Sequence, residues 1–196
     1  MIAAIVLAAG TSSRFGRLKQ LATYRGRPLV QHAIDTAREA GIGDVVVVVG
    51  LEADRVAAAV RDARVVHNPR YTEGQSTSLA AGLDALGPEV DGAVVLLGDQ
   101  PEIGSNHIRA LLEAAANAEH PIVRLRFADA PGPALLRREI WDDVRALEGD
   151  AGARTLIERR PELVREVPVP GRAPVDIDTP ADLERADAGN EKPPSL

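Results

Sequence analysis

Three short, unbroken apolar runs, Ile2–Leu7, Val45–Val49 and Ala93–Leu97, decide what this chain can fold into. A half-exposed strand alternates apolar and polar residues, so an unbroken run reads as a strand buried on both faces. None approaches the roughly 20 apolar residues of a membrane helix. Each run opens into small residues, Ala8-Ala9-Gly10, Gly50 and Gly98. Between them lie segments with helical spacing: Pro28–Ala40, with Pro in the first turn and Gly41 and Gly43 behind it, then Ala53–Asp62, Tyr71–Leu86 and a helix starting near Ser105. Alternating strands and helices predict a single-domain three-layer α/β/α fold with a mostly parallel sheet. At 196 residues there is length for one such domain. It is expected to span residues 1–188, with 189–196, carrying Pro193-Pro194, as a flexible tail.

Later signals are weaker. Arg64–His67 and Pro121–Arg126 read as strands, Ala128–Pro133 as a turn or loop, Ala134–Leu136 as a short strand and Arg138–Leu147 as a helix. Glu148–Arg154 reads as a loop before a helix that ends ahead of Pro161, and Leu163–Val169 as a final strand.

The first run leads into Thr11, Ser12 and Ser13, then Arg14, Gly16, Arg17 and Lys19. Small residues let backbone N–H groups approach a ligand, and successive N–H groups in a turn form a nest for an anion. Met1–Ile34 contains no Asp or Glu but carries five cations, in a chain whose formal net charge is −6. Local positive charge on an acidic protein points to a small polyanion rather than a polynucleotide. Lys19 and Lys192 are the only lysines among 23 cationic residues, so a compact ammonium at position 19 is a chemical choice.

Composition removes several alternatives. With 3% aromatic residues, stacking on nucleic-acid bases has little to work with. Zero cysteines exclude disulfides, thiolate catalysis and Cys-ligated metals. His32, His67, His107 and His120 are scattered without metal-ligand spacing, and no serine sits in a nucleophile elbow. The start has no secretory signal pattern, so a soluble cytoplasmic protein is expected.

Three further clusters carry polar chemistry. Gly74-Gln75-Ser76-Thr77-Ser78 precedes a helical pattern, where hydroxyls and free N–H groups either cap the helix or bind a ligand. Asp99 follows the third apolar run, at the strand end where open α/β sheets bind ligands, and a lone carboxylate there suits magnesium shared with phosphates. In Val175-Asp176-Ile177-Asp178-Thr179-Pro180 the two carboxylates share a face if the segment is extended; capping of the next helix by Asp178 or Thr179 is the other reading.

Leu7–Lys19, read as LAAGTSSRFGRLK, resembles the signature loop of the MobA-like nucleotidyltransferases, and the branch it most resembles is the molybdenum cofactor cytidylyltransferases. The resemblance continues through Gly74–Ser78, Leu97–Pro101, Gly149–Arg154 and Asp176–Pro180, in family order across nearly the whole chain. It implies a Rossmann-like α/β domain that transfers a nucleoside monophosphate from a triphosphate to an acceptor phosphate, with release of pyrophosphate. Arg14, Lys19 and Asp99 would be catalytic, and Asp99 and Asp178 would hold Mg²⁺. Leu7, Ala8, Ala9, Gly10, Thr11, Ser12, Gly50, Asn68, Gly74, Ser76, Thr77 and Ser78 would bind the nucleotide, and Gln75, Gln100 and Pro101 the acceptor. Ala9 and the Gly74–Ser78 motif are similar to the cytidylyl branch, which implies CTP with a phosphorylated pterin and eventual delivery to a molybdoenzyme or its maturation factor.

One departure stands out: the branch's Gly-His-Pro is replaced by Pro131-Gly132-Pro133-Ala134. The same superfamily includes NAD(P)H-dependent dye reductases such as nicotine blue oxidoreductase, so a redox role stays open, as does a non-catalytic nucleotide-binding module. Lys19 and Asp99 favour the transferase, because hydride transfer needs neither a metal carboxylate nor a phosphate lysine.

Overall fold

The computed structural model describes residues 1–12 and 14–188; Ser13 of the opening turn and the expected tail lie outside the described residues. The chain begins with β1 (Ile2–Ala8), a hairpin of β2 (Thr23–Tyr24) and β3 (Arg27–Pro28), and α1 (Leu29–Glu39). Next come β4 (Asp44–Val49), α2 (Ala53–Ala59), β5 (Arg64–His67), α3 (Gln75–Asp84), β6 (Gly92–Leu97) and α4 (Ser105–Ala116). The second half holds β7 (Ile122–Arg126), β8 (Pro131–Arg137), α5 (Trp141–Arg145), α6 (Ala153–Arg159), β9 (Val164–Pro168) and α7 (Pro180–Ala188).

Seven strands form one sheet in the order β5-β4-β1-β6-β8-β7-β9. β1 pairs in parallel with β4 on one side and β6 on the other, and only β8 runs against its neighbours. Both faces are covered. Ala4 and Val6 of β1 and Val45, Val47 and Val49 of β4 point into a core with Ile34 of α1 and Ile108 of α4. Ala3, Ile5, Val46 and Val48 point the other way, against Leu79 and Leu83 of α3 and Trp141 of α5. The unbroken apolar runs follow from this burial on two sides.

The chain winds from β1 outward to β5, then returns to β6 on the opposite flank of β1. The winding therefore reverses at β1, and a crevice opens outside the carboxyl ends of β1, β4 and β6. Among the described residues no helix is long and apolar enough to cross a membrane.

Four local expectations change. The segment after the opening loop contains the β2–β3 hairpin, so Pro28 ends a strand and α1 begins one residue later. The Ala53–Asp62 helix stops at Ala59, and Asp62 turns left-handed at φ 57°. The helix expected over Arg138–Leu147 is split into a 3₁₀ turn, Arg138–Ile140, and the short α5. The end of the expected loop, Pro131–Pro133, joins the short strand after it in β8. Prolines are tolerated there because the β6–β8 ladder runs only from Val95↔Ala134 to Gly92↔Arg137, so Pro131 and Pro133 lie beyond its last pair.

Gly82 marks where α3 presses closest on β1: a Cβ there would stand 2.6 Å from Ile5 Cγ2. Helix propensity alone favours Gly82→Ala by about 1 kcal/mol. Overpacking costs about 1–3 kcal/mol, so the variant should unfold at lower urea than the parent. A raised urea midpoint would show that α3 and β1 can separate without cost.

Candidate active site at the carboxyl end of the first strand

The opening loop is shaped by a side chain that carries no charge. Gln20, 4% exposed, donates through Nε2 to the carbonyls of Ala8 at 3.0 Å and Gly10 at 2.9 Å. Its Oε1 accepts from Ser12 Oγ at 3.1 Å, and Ser12 Oγ in turn accepts from the Lys19 N–H at 3.1 Å. Ser12 is left-handed, at φ 56°, and its carbonyl accepts from the N–H groups of Phe15 and Gly16. The loop thus folds back on itself and delivers Lys19, at the start of a single 3₁₀ turn, to the carboxyl end of β1.

Asp99 arrives from the neighbouring strand. Gly98 N–H donates to the Leu7 carbonyl at 3.0 Å, continuing the β1–β6 ladder past its end, and the next residue projects into the cleft. Lys19 Nζ donates to Asp99 Oδ2 at 2.7 Å and to Asp178 Oδ1 at 2.9 Å, while an Arg14 guanidinium nitrogen lies 2.9 Å from Asp178 Oδ2. The second carboxylate oxygen of Asp99, Oδ1, is buried and has no partner. Burial works to lower the Lys19 pKa, but the attraction and hydrogen bonds of Asp99 and Asp178 outweigh it, so the ammonium is held above its ordinary value. Beside it, Asp176 accepts from Gln100 Nε2 at 2.7 Å. Desolvation at the cleft wall, with the charges of Asp99 and Asp178, raises the Asp176 pKa against the opposing hydrogen bond from Gln100.

The two readings of the Asp176–Pro180 segment are now separable. Asp182 accepts from the N–H groups of Asp178 and Thr179 and from the Thr179 hydroxyl, and Thr179 Oγ1 accepts from Asp182 N–H at 3.2 Å. Thr179 and Asp182 therefore close the start of α7 between them, with Pro180 as its first residue, and the Asp178 carboxylate is left for Lys19 and Arg14. The segment is held in place by Ile177, whose N–H donates to the Asp99 carbonyl at 2.9 Å. Its side chain, 1% exposed, packs with Phe15, Tyr24, Leu29 and Leu183 in a small separate core.

The opposite wall is built from glycines. Gly74 adopts φ 117°, and a Cβ there would fall 2.1 Å from the Gly149 carbonyl carbon. Ser76 N–H donates to Gly149 O at 3.1 Å, so the start of α3 rests on the Gly149-Asp150 turn, and Asp150 reaches the cleft. The cleft has a volume of about 410 Å³. Leu7, Gln75 and Leu97 also face a second cavity of about 360 Å³ beyond it, walled by Pro131–Ala134, Ile157 and Arg124.

Of the residues singled out in the sequence, Leu7, Ala8, Ala9, Gly10, Thr11, Lys19, Gly74, Gln75, Ser78 and Asp99 line the cleft. Gln75 also faces the second cavity, together with Gln100, and Pro101 lines neither. Arg14 and Asp178 stand at the rim through their contacts with each other and Lys19. Ser12, Gly50, Asn68 and Thr77 do not line it. Gly50 leaves room for the Tyr71 ring, 2.6 Å from where its Cβ would be. Asn68 Nδ2 donates to both Thr77 Oγ1 and Ser78 Oγ at 2.9 Å, tying the end of β5 to α3. Ser76 is buried with its Oγ unpartnered. Gln20, Tyr71, Thr72, Asp150 and Arg124 line the cavities without having been singled out; Gln20 closes the signature loop and Asp150 lies in the Gly149–Arg154 motif, which were the available signals.

Residues 4–164 match the family described as the MobA-like NTP transferase domain. The chain belongs to that family. The MobA-like domain is 32% identical to nicotine blue oxidoreductase from Paenarthrobacter nicotinovorans over 175 residues, 83% of this chain and 84% of that protein. Among solved structures it is similar to Rv0371c from Mycobacterium tuberculosis H37Rv, with 33% identity, a TM-score of 0.83 and coverage of 94% of this chain and 96% of that one. The same protein has been solved in complex with manganese (32% identity, 95% and 97% coverage, TM-score 0.80). A nucleotidyl transferase from Methanothermobacter thermautotroptrophicus is 25% identical, with a TM-score of 0.81 and coverage of 96% and 97%. The MobA-like fold expected from the sequence is thus shown, and the chain is a nucleotidyltransferase.

If Ile177 seats Asp178, truncating it should disturb more than stability. Ile177→Ala is expected to cost about 2–5 kcal/mol, and Leu183→Ala a similar amount. Only Ile177→Ala should also weaken metal-dependent nucleotide binding, measured by calorimetry below both melting points. Equal weakening in the two variants would reduce the small core to a general stabiliser.

Proposed function

We propose that the protein transfers CMP from CTP to a phosphorylated pterin, with Mg²⁺, and releases pyrophosphate. The observation that carries this reading is the meeting of Lys19, Arg14, Asp99 and Asp178 at the mouth of a cleft built on a Gly-containing loop. The reaction forms a bond from an acceptor phosphate oxygen to the α-phosphorus and breaks the bond to the pyrophosphate. The nucleophile is already an anion, so the protein needs to position and neutralise more than to move protons.

In this reading the backbone of Ala8–Thr11 cradles the triphosphate. Lys19 and Arg14 neutralise charge that builds on the α- and β-phosphates, and Gly74 lets the start of α3 close over the nucleoside. The second cavity takes the acceptor, with Gln75 and Gln100 at its threshold. Its wall contains Pro131-Gly132-Pro133, where the molybdopterin branch carries histidine, so this is the segment on which acceptor choice depends.

The residues present fit a magnesium ion. Asp99 Oδ1 is a buried carboxylate oxygen without a partner, and Asp178 shares a cation with Asp99. Among the described residues no group of three or more His, Asp or Glu side chains forms a site on its own. Two carboxylates supplemented by substrate phosphates is the way Mg²⁺ is usually held. When bound, the ion supplies electrostatic stabilisation of the transferring phosphate and leaving pyrophosphate.

A redox reading is kept for one reason, the 32% identity to nicotine blue oxidoreductase. Thermal unfolding with CTP, GTP, ATP or NADPH, each with and without Mg²⁺, separates the two. At 100 times Kd a ligand adds about 2.7 kcal/mol, a shift of several degrees for a chain of this size. The transferase reading expects a Mg²⁺-dependent shift with CTP that Asp99→Asn abolishes, and Lys19→Ala should lower turnover by about 10²–10³-fold. A metal-independent shift with NADPH and none with CTP would replace the transferase by a reductase.

A further inference from the structure

Lys19 is bound to carboxylates that the transferase reading needs for something else. Its single nitrogen bridges Asp99 Oδ2 and Asp178 Oδ1, at 2.7 Å and 2.9 Å, and its side chain is only 14% exposed. A divalent ion held by these two carboxylates would occupy the same place between them with the same sign of charge. Ammonium and metal ion therefore exclude each other. The remaining contacts agree: Arg14 takes the outer oxygen of Asp178, and Asp99 Oδ1 is buried with no partner at all.

We infer that the Lys19 ammonium is a built-in stand-in for the divalent cation, which keeps Asp99 and Asp178 compensated and facing each other, and gives them up when nucleotide phosphates offer it another anionic partner. The inference rests on the transferase reading. A lysine can make this exchange because its charge is a compact point on a flexible stem; an arginine fork would hold one carboxylate through two parallel bonds. Metal and nucleotide binding then become linked. Metal alone must displace the ammonium with nowhere for it to go, whereas nucleotide provides that place, and by reciprocity metal strengthens nucleotide binding by the same factor.

The test uses Mn²⁺ as probe, with free ion read by electron paramagnetic resonance, on the full chain and on variants whose folding is checked by thermal unfolding. Without nucleotide, Lys19→Gln and Lys19→Met should bind Mn²⁺ on the order of tenfold more tightly than the parent. Arg14→Gln removes an equal charge from beside Asp178 but not from between the carboxylates, so it should gain no more than about threefold. Adding CTP should tighten Mn²⁺ binding to the parent on the order of tenfold and do much less for the Lys19 variants. The inference is overturned if the Lys19 variants bind Mn²⁺ alone no better than the parent, or if Arg14→Gln gains as much as they do. It also falls if the parent binds Mn²⁺ equally well with and without CTP, a result that needs no variant to fold. Mn²⁺ binding by Lys19→Gln but not by the parent, even with CTP, would overturn the nucleotide-driven release, and the inference with it, while leaving the transferase reading to the thermal comparison of CTP, GTP, ATP and NADPH; binding by neither would remove both.

Discussion

One ammonium between two carboxylates sets the terms for the rest of this structure. Lys19 lies 80 residues from Asp99 and 159 from Asp178 in the chain, and all three groups are at least partly withdrawn from water. Like charges brought together this way repel unless a cation lies between them, and a buried cation is costly unless paired. The arrangement is stable only if three distant segments reach one point together. Each has its own support: the Gln20 hydrogen bonds for the first, the β1–β6 ladder for the second, and the Ile177 core with the Thr179–Asp182 cap for the third. The third support also ties the other two together, because Ile177 N–H donates to the Asp99 carbonyl and its side chain packs on Phe15 of the opening loop.

The sheet supplies the common point. Because the winding reverses at β1, neither neighbouring connection crosses its carboxyl end, and the crevice stays open there. Small residues keep it so. Gly98 places its missing Cβ 3.3 Å from the Leu7 carbonyl, and Gly74 lies against the Gly149 backbone. A side chain at Gly74 would force its segment off the Gly149 backbone, and one at Gly98 would press on the end of β1. The Lys19–Asp99–Asp178 cluster then stands opposite the Gly74–Gly149 wall across a cleft of about 410 Å³.

How far this was legible in the sequence depends on how local each cause is. β1, β4 and β6 were visible because burial on two faces leaves an unbroken apolar run, a property of five or six consecutive residues. Lys19 and Asp99 were visible because each follows such a run. The direction of β8 was not, since antiparallel pairing with β6 and β7 is decided by partners far away in sequence, and its prolines made its first residues read as a loop. Gln20 was passed over because a buried amide makes no pattern of charge or hydropathy; its role exists only once the loop has turned back upon it. Asp176-Ile177-Asp178 stayed divided between cap and site for the same reason: the deciding contacts are those of Asp182 and Ile177 with groups outside the motif.

The choice of lysine at position 19 follows from this geometry. Apart from Lys192 the rest of the chain uses arginine, and many of those arginines pair with a carboxylate close by, as Arg70 does with Glu73 through several parallel bonds. Parallel bonds suit a partner that does not change. Between Asp99 and Asp178 the two acceptors come from different segments and present one oxygen each, which a point donor can bridge and a planar fork cannot serve equally. The same compactness that makes the bridge possible also lets the group leave it by rotating about its own stem. A static ion pair and a mobile phosphate ligand are therefore two positions of one side chain, and the unpartnered oxygen of Asp99 marks the carboxylate that has most to gain when the exchange occurs.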